Sequence, residues 1–264
     1  RKINSLKMIS RSIVITGSSR GIGFGLAKYF LQLGHKIIIN GRSENHVKKA
    51  LQELKKISSS VQGIAGDVTK EITHKALISL CVDHFGSVDI YINNAGIPQD
   101  NKSFIKLKNT SIEDLIYTNI YGLMIGTKTA VNFMTTQGFG KIFNMEGFGS
   151  DGRILNKLTL YGTSKRAVNY FTKSISNELK SSSIQIGTLN PGMVKTDFLE
   201  ISMSDSSEAE KKQFEKVKRI MAENVETVVP VLADKILKST KNYDRIKFLG
   251  PGKLFIKILK LILS

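Results

Sequence analysis

Two hydrophobic rhythms alternate along the chain. Short, nearly continuous apolar runs at residues 12–16, 36–40, 61–65, 88–93, 141–145, 184–189 and 245–249 read as strands buried on both faces. Between them lie stretches with an apolar residue every third or fourth position. The first spans 21–33 through Ile22, Leu26, Tyr29, Phe30 and Leu33, with Gly34 as its stop. Others run from the cap residue Ser43 to about 57, and over 71–84, 112–134, 158–179 and 225–239. Parallel strands need such helical crossovers, so the pattern predicts a single-domain α/β fold, doubly wound around a mainly parallel sheet of about seven strands. Ligands of such sheets bind beyond the carboxyl ends of the strands, near the switch in strand order.

No Pro- or Gly-rich linker divides the 264 residues, which gives one domain over 1–250 and a distinct tail over 251–264. The single cysteine, Cys81, excludes an intramolecular disulfide and sits on an apolar helical face. No Cys/His cluster has zinc spacing, so no metal is expected. A net charge of +17 fits an anionic partner or simply a Lys-rich composition. Without a zinc finger or an aromatic ribonucleoprotein box, nucleic acid is not the expected partner. Residues 1–7 lack an initiator Met and an apolar signal core, and the expected location is cytoplasmic. The tail is different. Lys253, Lys257 and Lys260 form a stripe at helical spacing among otherwise apolar positions over 253–263. It is too short to span a bilayer, and either lies in a membrane interface or packs on the body or a partner subunit.

The first strand ends in Thr16-Gly17-Ser18-Ser19-Arg20-Gly21-Ile22-Gly23 and leads into a helix. Glycines there let the backbone approach a dinucleotide pyrophosphate, and the helix N-terminus offers free N–H groups. This chemistry makes the doubly wound sheet a Rossmann fold. The second strand ends Asn40-Gly41-Arg42, without the acid that would hold the ribose hydroxyls of NAD. Arg42, with Arg20, can instead pair with a 2′-phosphate, so NADP(H) is the expected cofactor; solvated arginines are the alternative. Asp67-Val68 follows the third strand, where it can cap the adenine, and Asn93-Asn94-Ala95-Gly96 ends the fourth, where small residues let the nicotinamide ribose pass.

Tyr161 and Lys165 stand four apart on one predicted helix and share a face. An ammonium beside a phenol favours the phenolate and brings Tyr161 toward an acid/base working range. With the glycine loop upstream, the chain resembles the short-chain dehydrogenase/reductase family over about residues 10–250. The motifs are Thr16–Gly23, Asp67-Val68, Asn93–Gly96, Asn119, Tyr161-x-x-x-Lys165 and 190–196, Asn-Pro-Gly-Met-Val-Lys-Thr. The resemblance implies Tyr161 as catalytic acid/base and Lys165 as its partner and ribose ligand. It implies Asn119 as holder of a relay water. Val194 and Thr196 are then carboxamide contacts, with Pro191 and Gly192 shaping the turn. It also implies a mobile lid over about 197–224, a small-molecule carbonyl or alcohol substrate, and a homodimer or homotetramer.

The family's carbonyl-polarising serine falls here on Gly147 or Phe148, within Asn144-Met-Glu-Gly-Phe-Gly-Ser150. Ser150, the nearest hydroxyl, is the candidate replacement; backbone N–H groups and a loss of catalysis are the alternatives. The variant stretch over about 142–165 resembles the chlorophyll b reductase branch of the same family, whose members are membrane-associated. The expected activity is therefore an NADPH-dependent carbonyl reductase, with a 3-oxoacyl or hydroxysteroid-type reductase, or a non-catalytic NADP-binding or membrane-docked protein, as rivals.

Overall fold

The computed structural model describes residues 9–203 and 206–250, with 252, 255–257 and 259 beyond them. Among these, the strands β1 (Ser12–Ile15), β2 (Lys36–Gly41), β3 (Val61–Ala65), β4 (Ile90–Asn93), β5 (Gly140–Met145), β6 (Ile184–Asn190) and β7 (Tyr243–Lys247) form one sheet in the order β3-β2-β1-β4-β5-β6-β7. Every pairing is parallel.

The two-residue period of a strand explains why each run is apolar throughout. Ile13, Ile15, Ile37 and Ile39 point into one core with Leu26 and Phe30 of α1 (Gly21–Gln32), Val47 and Leu54 of α2 (Glu44–Lys55), and Leu232 and Ile236 of α9 (Val225–Lys238). Val14, Ile38 and Ile142 point the other way. They meet Leu77 and Cys81 of α3 (Glu71–Phe85) and Ala130 and Met134 of α5 (Leu123–Gln137). Cys81 is buried there, and burial pushes its thiol up to about 12, so it stays a protonated apolar filler. Local signals set the helix ends. The Ser43 hydroxyl accepts from the His46 N–H at the start of α2, and Gly86 and Gly138 close α3 and α5 in the left-handed conformation.

Two predicted elements change most. The last strand starts at Tyr243 rather than 245, because its ladder with β6 runs from Ile186↔Tyr243 to Asn190↔Lys247 and leaves Phe248 to pack on the core. The long helix predicted over 112–134 is three pieces: α4 (Asn109–Ile116), a π-helical segment (Tyr117–Gly122) and α5. Periodicity alone cannot show such a widening, which often marks a functional position. Helix α6 (Thr159–Glu178) packs against β6 and carries the Tyr/Lys pair. The segment predicted as a lid contains α7 (Asp197–Ser202) and α8 (Glu208–Met221), the latter opened by a capping box between Ser207 and Glu210. Of the lysine stripe in the tail, Lys253 and Lys260 lie outside the described residues, as do residues 1–8.

Candidate active site

The strand order reverses between β1 and β4, and the loops leaving these two strands interlock. Asn94 Nδ2 donates to the carbonyls of Thr16 and Gly17, both at 2.9 Å, and the Ala95 N–H donates to the Thr16 hydroxyl at 3.1 Å. Gly17 and Gly21 both have φ near +60°, where a side chain is strained. A Cβ on Gly17 would lie 2.7 Å from Ala95 Cα, and one on Gly23 would lie 2.5 Å from Asn94 Nδ2. The loop therefore accepts glycine alone at these points. Arg20 caps α1 with backbone only, and the first turn contains no acid, so its N–H groups are open to an anion. This cradle fits a pyrophosphate. Ile22 is partly buried against the core and anchors the first turn. Gly41 at the end of β2 packs on Ser19, where a Cβ would come within 2.7 Å of Oγ.

Around this cradle, Arg42 is exposed beyond β2, and Arg20 is exposed with an ion pair to Asp197 at 3.6 Å. Asp67 is exposed and its Oδ1 accepts the Thr69 N–H at 2.9 Å, while Val68 is buried. The Val68 carbonyl accepts from His74 Nε2 at 2.7 Å. Burial holds His74 below its ordinary range and thus neutral, so its Nδ1 accepts the Tyr91 hydroxyl at 2.8 Å. From the far side, Gly192 turns at φ +73 after the buried Pro191, and its N–H donates to Asn190 Oδ1 at 3.1 Å. Val194 is buried in the core. Thr196 reaches the glycine loop, with its Cγ2 3.7 Å from a Cβ built on Gly21.

The catalytic candidates meet beside Gly96. Asn119, fully buried in the π-helical segment, accepts the Ile97 N–H at 2.8 Å and donates to the Ile97 carbonyl at 2.9 Å. A Cβ on Gly96 would lie 3.2 Å from Asn119 Oδ1 and 3.7 Å from Lys165 Nζ. Lys165 Nζ donates to the Met145 carbonyl at 3.1 Å and lies 5.6 Å from the centre of the Tyr161 ring. Burial pulls the Lys165 ammonium down to about 8, opposed by the Glu146 carboxylate. The Tyr161 hydroxyl packs on Gly147, so closely that a side chain there would overlap it. Among the described residues no hydrogen bond engages that hydroxyl. Burial pushes its phenol up, the reverse of the direction expected from the ammonium alone.

Ser150 goes elsewhere. It is 1% exposed, donates to Glu146 Oε2 at 2.9 Å and accepts from Arg245 Nη2 at 3.2 Å. Glu146, Arg245, Asn169 and Asn190 complete a partly buried polar cluster, with Glu146 at its buried end, that motif reading passed over. Charged letters at 146 and 245, far apart in sequence, carry no local signal of pairing. A second buried network fixes the ends of β4 and β5. Asn93 Nδ2 donates to Asn144 Oδ1 at 2.9 Å, and Asn144 Nδ2 donates to the Thr172 hydroxyl at 3.0 Å.

The profile of the family described as short chain dehydrogenase matches residues 11–207. The chain belongs to the short-chain dehydrogenase family. It is thus an oxidoreductase by family, and the glycine cradle lies at its strand-order switch. Within the family, it is 36% identical over 262 residues to the chloroplastic chlorophyll(ide) b reductase NOL of Oryza sativa subsp. japonica, covering 95% of this chain and 75% of that protein. The Arabidopsis thaliana NOL is 38% identical over 259 residues, with 94% and 72% covered. Among solved structures, actinorhodin polyketide ketoreductase with NADPH superposes with a TM-score of 0.79 at 24% identity, covering 90% of this chain and 95% of that one. A 3-ketoacyl-(acyl-carrier-protein) reductase from Brucella melitensis complexed with NADH gives 0.78 at 23%, covering 90% and 96%. These structural likenesses concern the fold.

Proposed function

We propose that this short-chain dehydrogenase is an NADPH-dependent carbonyl reductase acting on a bulky apolar carbonyl substrate. The observation that carries the proposal is the Tyr161 hydroxyl, free of hydrogen bonds among the described residues, beside the Lys165 ammonium at the strand-order switch. The substrate class rests on the two relatives named chlorophyll(ide) b reductase.

When bound, the reduced nicotinamide supplies hydride to the carbonyl carbon. Gly17, Ser19, Gly21, Ile22 and Gly23 would hold its pyrophosphate on the N-terminus of α1, and Asp67, Val68, Asn94, Ala95 and Gly96 would line the adenine and ribose path. Pro191, Gly192, Val194 and Thr196 would border the carboxamide. Arg20 and Arg42 take the 2′-phosphate by charge-assisted hydrogen bonds. Tyr161 donates its proton to the carbonyl oxygen as negative charge builds there. A phenol raised by burial stays protonated at neutral pH, the form that reduction needs. Lys165 holds the ribose, and Asn119 braces the loop at Ile97 beside the proton path. With its hydroxyl spent on Glu146, Ser150 is assigned to that cluster, and Tyr161 alone polarises the carbonyl. The 3-oxoacyl alternative draws on a relative named 3-oxoacyl-[acyl-carrier-protein] reductase FabG from Chlamydia pneumoniae, 28% identical over 209 residues, with 78% of this chain and 82% of that protein covered.

The test is NADPH oxidation against aldehydes and ketones, including a formyl tetrapyrrole and 3-oxoacyl thioesters. Tyr161→Phe is expected to lower kcat by about a hundredfold or more while NADPH binding persists. Arg42→Ala should weaken NADPH by about tenfold and leave NADH unchanged. Turnover that survives in Tyr161→Phe would overturn the assignment, and cofactor binding with no turnover on any carbonyl would favour the non-catalytic reading.

A further inference from the structure

Strand β5 runs out through three consecutive residues with different partners. The Met145 carbonyl receives Lys165 Nζ, and Gly147 carries the Tyr161 hydroxyl on its bare Cα. Between them Glu146, 1% exposed, sends its carboxylate into the partly buried polar cluster. Arg245 of β7 donates Nε to both oxygens at 3.1 Å and Nη2 to Oε2 at 2.9 Å. Asn169 of α6 donates to Oε1 at 2.7 Å, and Ser150 donates to Oε2 at 2.9 Å. Asn190, whose Oδ1 fixes the turn at Gly192, donates to Oε2 at 3.4 Å. One carboxylate therefore joins α6, the end of β6, β7 and the loop after β5.

A buried ion pair is a poor source of fold stability, because well-packed apolar residues do as well without desolvating two charges. Its value here is placement. Any slip of Glu146 moves the backbone at 145 and 147 and so displaces both side chains that rest on it. We infer that Glu146, clamped by Arg245, is the positioning residue of this site, and that it sets Tyr161 and Lys165 in a chain whose serine position falls on Gly147 or Phe148. The inference rests on the proposed function for what Tyr161 and Lys165 do, though not for where they sit. The carboxylate acts on charge as well. Burial raises Glu146, but hydrogen bonds from Arg245 and Asn169 outweigh it and hold the group ionised. The titratable and charged neighbours of Glu146 are Arg245 and Tyr243 from β7 and Lys165 from α6. Those of Lys165 are Glu146 from the end of β5 and Tyr161 from its own helix. Glu146 thus counters the burial that lowers Lys165.

The experiment is Glu146→Gln, which keeps the volume and removes the charge. The expected result is a kcat lower by roughly a hundredfold with the carbonyl KM within a factor of about two. The alkaline limb of the pH profile should move to lower pH, and a crystal structure should show Lys165 Nζ withdrawn from the Met145 carbonyl. A variant with wild-type kcat, pH profile and Lys165–Met145 contact would overturn the inference. If the single variant does not fold, Glu146→Gln with Arg245→Met leaves no unpaired buried charge and carries the same expectations. A wild-type protein without carbonyl turnover would sink the proposed function alone, and the variant's crystal structure would then decide the positioning role by itself.

Discussion

Lys165 would carry its proposed role at the expense of the fold. Its ammonium is buried and compensated by one carbonyl and a nearby carboxylate, so it titrates near 8 against an ordinary 10.5. The folded protein then binds fewer protons than the unfolded chain between those values, and stability should rise with pH across that window. Below it the charge is a standing cost. Lys165→Met is expected to raise stability at neutral pH by about 1–2 kcal/mol, after allowing for the unpaired Met145 carbonyl, while abolishing turnover. Denaturant unfolding beside an NADPH assay measures both. In the wild type, NADPH affinity should fall as pH rises through about 8, because the ribose loses its ammonium partner. A flat profile would remove Lys165 from the cofactor site. Nothing in the sequence signals this: Tyr-x-x-x-Lys shows that two side chains share a helical face, but only packing shows how far burial shifts each of them.

At the scale of elements, α7 and α8 are tied to the start of α6 and the loops beside it by contacts that a sequence does not display. The Phe198 ring meets Tyr161 edge-on at 5.7 Å between centroids. Lys157 pairs with Glu210, and Asn101 Nδ2 donates to the Ser206 hydroxyl at 2.7 Å. Gln99 braces the platform beneath them, accepting the Tyr161 N–H at 2.9 Å and donating to the Lys157 carbonyl at 2.8 Å. Lys157 itself is held at φ +66, a left-handed conformation that a lysine adopts only under constraint. The helices of the proposed lid bury none of their own residues fully, so opening exposes little apolar surface. Phe198→Ala is expected to raise the carbonyl KM by about tenfold and to speed proteolysis within 197–224. A variant with wild-type KM and cleavage rate would leave the segment as a fixed cover. The boundaries of α7 and α8 follow from caps and charge, but the latch depends on Lys157 and Glu210 meeting across 53 positions of chain.

For the whole molecule, the charge of +17 and the two chain faces left exposed bear on partners. Tyr117 and Tyr121, stacked edge-to-face at 5.6 Å in the π-helical segment, and Tyr170 on α6 remain exposed and support the proposal of a homodimer or homotetramer through the long helices. Among the described residues no helix is long and apolar enough to cross a membrane. In the tail, Lys257 donates to the Ile220 carbonyl at 2.8 Å and pairs with Glu223 at 2.7 Å, which seats it at the end of α8, while Phe255, Ile256 and Leu259 stay exposed. Interfacial contact through 253–264 is therefore proposed beside the lid. The full chain should co-sediment with anionic vesicles in a salt-sensitive manner, and a chain ending at 252 should not. Equal sedimentation of the two would end that proposal.

What the sequence determined by itself is the α/β order, the parallel sheet and the position of the glycine cradle, because these follow from local rules: periods of two and 3.6, helix caps, and the conformational freedom of Gly17 and Gly21. It also placed Tyr161 and Lys165 on one helical face. Only the tertiary structure decided that Ser150 turns into the Glu146–Arg245 cluster, that Asn119 lies in a π-helical widening, and that the Tyr161 phenol is raised rather than lowered. Each of these depends on desolvation and on partners distant along the chain, and neither quantity exists until the strands have brought those residues together.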